Sequence, residues 1–130
     1  MDLKKGILSG IAAAVIMYIM SFVFSILYPA YNAWYMTVFA DLNMNMMWIS
    51  TIIFGIFMGI IYSVISKSIP GKGHKKGFNY GVLVWILAGL MWPLMSIGFA
   101  PFMISIYDLI TGFITYGLAG IVLVAVYNKI

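Results

Sequence analysis

Asp108, Thr111 and Thr115 stand at i, i+3 and i+7, which puts a carboxyl group and two hydroxyls on one face of a helix. An ionisable group on an apolar helix is a candidate for proton or cation handling, with the threonine oxygens as further ligands. Trp92 and Thr51 are the other polar side chains such a face could draw on. The plainer reading makes Asp108 a boundary aspartate that favours the first turns of its own helix through the helix dipole.

The methionines offer different chemistry. Met44, Met46 and Met47 form a compact group, and thioethers are soft ligands suited to Cu(I). Against this, methionine is a flexible apolar filler wherever a packed interior is irregular. His74 has no Cys, Asp or Glu beside it, and a stable metal site needs three or four convergent ligands. Gly71-Lys72-Gly73 lacks the spacing of a phosphate-cradling loop. The carboxylates are Asp2, Asp41 and Asp108, too few and too scattered for an acid–base pair, and no serine triad accompanies them. With 0 Cys, thiolate catalysis, disulfides and thiol redox chemistry are excluded. The residues point to no enzyme and to no cofactor. Trp34, Trp48, Trp92, Tyr31 and Tyr35 gather towards one side of the expected layout, as a ligand pocket would require and as an interfacial aromatic belt also would.

The elements that must position these side chains follow from composition. The chain is 65% hydrophobic and 8% charged, with a mean hydropathy of +1.10. A water-soluble domain of 130 residues could not cover that much apolar surface, so an integral membrane protein is expected. The expected fold is an all-α, transmembrane four-helix bundle forming a single domain, with spans over about 5–28, 48–66, 78–97 and 103–127. Roughly 31 Å of helix separates Asp108 from Lys129, which places Asp108 at the edge of a hydrocarbon core and not at its middle.

Residues 67–77 hold four of the seven basic residues, Lys67, Lys72, Lys75 and Lys76. Lysines beside span ends are retained in the cytoplasm, so this loop and both termini are expected there, in contact with anionic headgroups. The formal net charge of +4 is confined to span ends, with no basic face, so nucleic acid is not an expected partner. The first outer connection, residues 29–47, carries Trp34, Tyr35, Val38, Phe39 and Leu42 on one helical face. It reads as a short amphipathic helix at the outer interface, N-capped by Asn32, or else as a re-entrant segment. Pro93 is expected to kink the third span.

Small residues line each span: Gly6, Gly10, Ala13, Ala14, Met17 and Ser21 in the first; Thr51, Gly55, Gly59, Tyr62, Ser63 and Ser66 in the second. Gly77, Gly81, Ala88 and Trp92 follow in the third, and Asp108, Thr111, Gly112, Thr115 and Ala119 in the fourth. Such stripes let helix backbones approach closely in lipid. Lys4-Lys5-Gly6 through Gly10 resembles Lys75-Lys76-Gly77 through Gly81, and the partner spans carry Gly55/Gly59/Lys67 and Gly117/Gly120/Lys129. Two tandem helical hairpins related by an axis along the membrane normal are the expectation.

The stretches Gly6 to Gly10, Lys76-Gly77-Phe78-Asn79-Tyr80-Gly81-Val82-Leu83-Val84-Trp85, the Pro93 to Phe99 turn and Tyr116-Gly117-Leu118-Ala119-Gly120 carry a resemblance. Over most of its length the chain resembles small, uncharacterised four-span membrane proteins of bacteria and archaea. That resemblance implies the four-span fold and brings no activity with it. Those proteins often have a histidine early in the second or fourth span, where this chain has Thr51 and Asp108. The expected role is that of a non-enzymatic membrane protein acting through helix packing, as a homo-oligomer or as the partner of another protein. The alternative is a small transporter or channel component with a path between the hairpins near Trp92, Thr111 and Thr115.

Overall fold

A computed structural model of the chain describes residues 2–38 and 44–130, apart from the side chains of Val38 and Met44. The described residues form helices α1 (Leu3–Leu27), α2 (Pro29–Val38), α3 (Met44–Ile65), α4 (His74–Val84), α5 (Met91–Ser96) and α6 (Phe102–Lys129), without a strand among them. A 3-10 turn, Ser66–Ser68, ends α3, and a π-helical turn, Trp85–Gly89, joins α4 to α5. Four stretches are long and apolar enough to cross a membrane: Leu3–Leu27, Asn45–Ser68, His74–Ser96 and Phe102–Lys129. Helices α4 and α5 with their π turn therefore make one span, which begins at His74 with Lys75 and Lys76 in its first turn.

Asp2 caps α1 by accepting a hydrogen bond from the Lys5 amide at 3.1 Å. The helix stops at Tyr28, where φ is −133°. Pro29 then opens α2, a position that suits proline because the first helical N–H needs no partner inside the helix. Asn32 accordingly lies inside α2 and does not cap it. The rest of the expected outer-loop helix, including Phe39, Asp41 and Leu42, falls outside the described residues.

Helix α1 is central. It packs against α3 on one side and α6 on the other, and α6 packs against α4, giving the lateral order α3–α1–α6–α4. The buried face of α1 is Gly6, Ser9, Gly10, Ala13, Ala14 and Met17. A Cβ placed on Gly6 would stand 2.9 Å from the Gly59 carbonyl oxygen, and one on Gly77 would stand 2.6 Å from Cα of Ile121. Backbone therefore lies against backbone in both pairs, and any larger side chain there would hold the helices apart. Ala13, Ala14, Met17, Met58, Tyr62, Tyr80, Ala119, Leu123 and Val124 make one buried cluster. Outside it, Phe22, Phe57, Leu87 and Phe102 are exposed, so the helices are apolar on their outer faces too, as spans facing hydrocarbon are.

The packing also sorts the charges. Gly6 faces Gly59, and Gly77 faces Gly120. Lys5 Nζ lies 5.8 Å above the Tyr127 ring, and Lys76 Nζ lies 5.9 Å above the Tyr62 ring. Together these bring the start of α1, the end of α3, the start of α4 and the end of α6 to one end of the bundle. All seven lysines sit at that end.

Pro93 acts at a distance from itself. It has no N–H for the Gly89 carbonyl, and the chain widens into the π turn ahead of it, with Leu90 N donating to Trp85 O at 2.8 Å. Where a kink was expected, the structure has this π turn.

A candidate functional site around Asp108

The end of the bundle remote from the lysines holds a single described carboxylate, Asp108, in the second turn of α6. It is 8% exposed. Its side chain turns away from its own helix towards α2. The Tyr31 hydroxyl donates to Oδ1, and the Tyr35 hydroxyl donates to Oδ2 at 2.8 Å. Tyr31 and Tyr35 are four residues apart, so one face of α2 delivers both phenols. Behind them, the Trp92 indole N–H of α5 donates to the Tyr35 oxygen. The result is a chain of donors, Trp92 to Tyr35 to Asp108, closed on the other side by Tyr31.

Aromatic rings support this chain. Tyr107, one residue before Asp108, donates to the Phe24 carbonyl at 2.5 Å. Its ring lies 4.9 Å from those of both Tyr28 and Tyr31. Trp34 meets Tyr35 edge-on at 5.1 Å and stacks on Phe99. Burial first, and then the hydrogen bond to Asp108, raises the Tyr31 phenol far above its ordinary value. Burial and then the charge of Asp108 raise Tyr35 in the same way. Both side chains are therefore neutral donors across the physiological range, and among the described residues the groups bonded to the carboxyl are neutral dipoles.

The Thr111 hydroxyl bonds back to the Tyr107 carbonyl at 2.8 Å and is buried beside Asp108 on the same helix. Thr115 is half-buried further along that face. Trp92 belongs to the cluster. Thr51 does not bond to it: its hydroxyl returns to the Met47 carbonyl on α3 at 3.0 Å. Met46 and Met47 are 56% and 44% exposed, and the Met44 side chain lies outside the described residues, so no convergent thioether set is formed by the described pair. Lys67, Lys72 and Lys75 are exposed and Lys76 is half-buried over Tyr62; His74 is exposed at the start of α4. Among the described residues no three His, Cys, Asp or Glu side chains come together as a metal site.

Sequence reasoning read Tyr31 and Tyr35 as part of a ligand pocket or of an interfacial aromatic belt and did not pair them with Asp108. A signal was there: two phenols at i, i+4 directly after a helix-ending proline lie at the same depth as an aspartate that opens another span. A second polar contact it missed is the Ser96–Ser105 hydroxyl pair, 2.8 Å apart and buried, which pins α5 to α6 across the short turn that joins them.

The chain was compared with protein-family models, with curated proteins and with solved structures, and none matches.

Proposed function

We propose that this chain is a non-enzymatic, multi-pass protein of the cell membrane that works through helix packing, as a homo-oligomer or as the partner of another membrane protein. Its four spans form two tandem hairpins, α1 with α3 and α4–α5 with α6. The lysine end, with both termini, faces the cytoplasm, and α2 rests at the outer interface. The observation that supports this reading is the backbone-to-backbone packing of Gly6 on Gly59 and of Gly77 on Gly120, which makes the helix interfaces tight. The repeat draws support from the same pairs, since each joins a Lys-Lys-Gly start to the glycine-rich end of the next span. Asp2 and Asp108 lie at opposite ends, so the described carboxylates do not converge for acid–base chemistry.

A second reading, a transporter or channel component, is favoured by one feature: a buried carboxyl group whose described partners, Tyr31 and Tyr35, are neutral donors. Proteoliposome flux separates the two. The packing reading expects no proton or monovalent-cation flux above that of empty vesicles, together with a discrete oligomer in mild detergent. A flux abolished by Asp108→Asn would replace it with the second reading. Because the chain has no native cysteine, Ser68→Cys and Gly98→Cys report orientation directly. An impermeant maleimide should label the Gly98 variant in intact cells and the Ser68 variant only after lysis.

A further inference from the structure

Helices α3 and α4 are consecutive in the chain, yet they sit at the two ends of the lateral order and part from each other beyond the lysine end. They meet there through the Tyr62 and Tyr80 rings, 5.1 Å apart, and through the Tyr80 hydroxyl, which donates to the Met58 carbonyl at 2.5 Å. Alongside that clasp runs a groove of about 150 Å³ whose apolar lining includes Phe57, Met58, Ile61, Leu83, Leu87 and Ala88. It opens sideways, since Phe57, Ile61 and Leu87 are 59%, 51% and 71% exposed. From Ile65 to Phe54 it follows roughly 17 Å of helix. That is close to the depth of one leaflet, about half of a ~30 Å core.

The chain that continues from the lysine end of this groove is basic. Lys67 is exposed two residues beyond Ile65, which lines the groove, and Lys72 and Lys75 are exposed on the connection to α4. Lys76 Nζ lies instead 5.9 Å over the ring of Tyr62, which is buried against Tyr127 of α6 and does not line the groove. The connection is fixed in place: Asn79 Nδ2 donates to the Pro70 carbonyl at 2.8 Å, and Ile69 is buried in the core cluster. The described acid at this end is Asp2, which is engaged at the start of α1.

We propose that the α3–α4 groove and the lysines above it form a binding site for one anionic phospholipid of the adjoining leaflet, with an acyl chain along the groove and the phosphate against Lys67, Lys72 and Lys75. A one-leaflet apolar slot capped by cations matches a molecule with an apolar tail and an anionic head, and matches neither half alone. The inference rests on the chain spanning a bilayer and is indifferent to whether the bundle packs or transports.

The test is native mass spectrometry of the protein in mild detergent, titrated with phosphatidylglycerol or phosphatidylcholine of identical chains. Phosphatidylglycerol should bind about tenfold more tightly, and the Lys67→Gln/Lys72→Gln/Lys75→Gln protein should lose that preference. Ala88→Phe, which fills the groove without touching charge, should weaken both lipids. With the unaltered protein, phosphatidylglycerol with shortened chains should bind more weakly, and excess inorganic phosphate should not displace the long-chain lipid. Equal affinity for the two lipids overturns the proposal. So does a Lys4→Gln/Lys129→Gln protein that loses the preference as fully as the triple variant, because the field would then be diffuse. Displacement by phosphate, or indifference to chain length, leaves a phosphate site without a lipid and equally ends it. None of these outcomes bears on maleimide labelling at Ser68→Cys, so failure here is separable from failure of the four-span layout.

Discussion

The Tyr35 phenol donates a 2.8 Å hydrogen bond to Oδ2 of Asp108 across 73 residues of chain. With the Tyr31 bond to Oδ1, it ties the short helix α2 to the second turn of α6. Removing one phenol takes a donor away from a buried carboxyl group, and such a loss costs about 1–3 kcal/mol. Tyr35→Phe and Asp108→Asn should each lower stability within that range, measured by unfolding in mild detergent. Because the two residues share a bond, the double variant should fall short of the sum by about 0.5–3 kcal/mol. Additive losses would mean that the bond does not exist.

The same phenols give the cluster a pH dependence of defined sign. Both are raised from the ordinary value of 10.0, by burial first. In the unfolded chain a tyrosine loses its proton near pH 10, whereas in the folded one it keeps it. The folded state then holds more protons than the unfolded state, so stability must fall as pH rises. The contribution is complete below about pH 10 and is lost progressively above it. A Tyr31→Phe/Tyr35→Phe protein should start less stable and show a flatter decline between about pH 10 and 11.5. An equally steep decline in that variant would assign the loss to other groups.

Much of the packing was legible in the sequence because in lipid the size of a residue carries the information that polarity carries in water. Gly6, Gly10, Ala13, Ala14 and Met17 were read as the packing face of the first span and are its buried face. Ser21, one turn further on, is exposed, because α1 is gripped mainly where glycines allow close approach. The third span shows the limit of periodic reasoning. Gly77, Gly81, Ala88 and Trp92 share a face only if the helix is α throughout, and the π turn at Trp85–Gly89 inserts a residue. Ala88 is thereby turned outwards, to the rim of the α3–α4 groove. The partners of Asp108 left only a trace of depth, two phenols at i, i+4 after Pro29, because a hydrogen bond between residues 31 and 108 has no periodic signature in either segment.

Glycine contacts distinguish packing positions from turn positions. A Cβ on Gly120 would meet Gly81 N at 2.6 Å and one on Gly55 would meet the Ala14 Cβ at 2.8 Å, whereas one on Gly98 finds nothing nearer than 3.6 Å. Gly55→Ala and Gly120→Ala should each cost about 1–3 kcal/mol by forcing the helices apart. Gly98→Ala should stay within about 0.5 kcal/mol of the parent. Similar losses at Gly55 and Gly120 would fit two equivalent hairpins; a neutral result at either would remove close backbone packing from that pair.

Trp85 carries the one orphaned group among the described buried side-chain donors and acceptors. Its indole Nε1 has no hydrogen-bond partner, while its ring meets Phe113 edge-on at 5.1 Å and closes over Gly112. Helical spacing puts it there: Trp85 follows Gly77 and Gly81 at i+8 and i+4 on the face of α4 that meets α6, and its Nε1 lies 3.3 Å from where a Cβ on Gly112 would stand. A buried donor without an acceptor is a standing cost of about 1–3 kcal/mol, and phenylalanine keeps much of the ring contact while dropping the N–H. Trp85→Phe should therefore be neutral or raise the unfolding temperature, against the usual direction for truncating a large aromatic residue inside a bundle. Loss of more than about 1.5 kcal/mol would show that ring volume outweighs the stranded donor at this position.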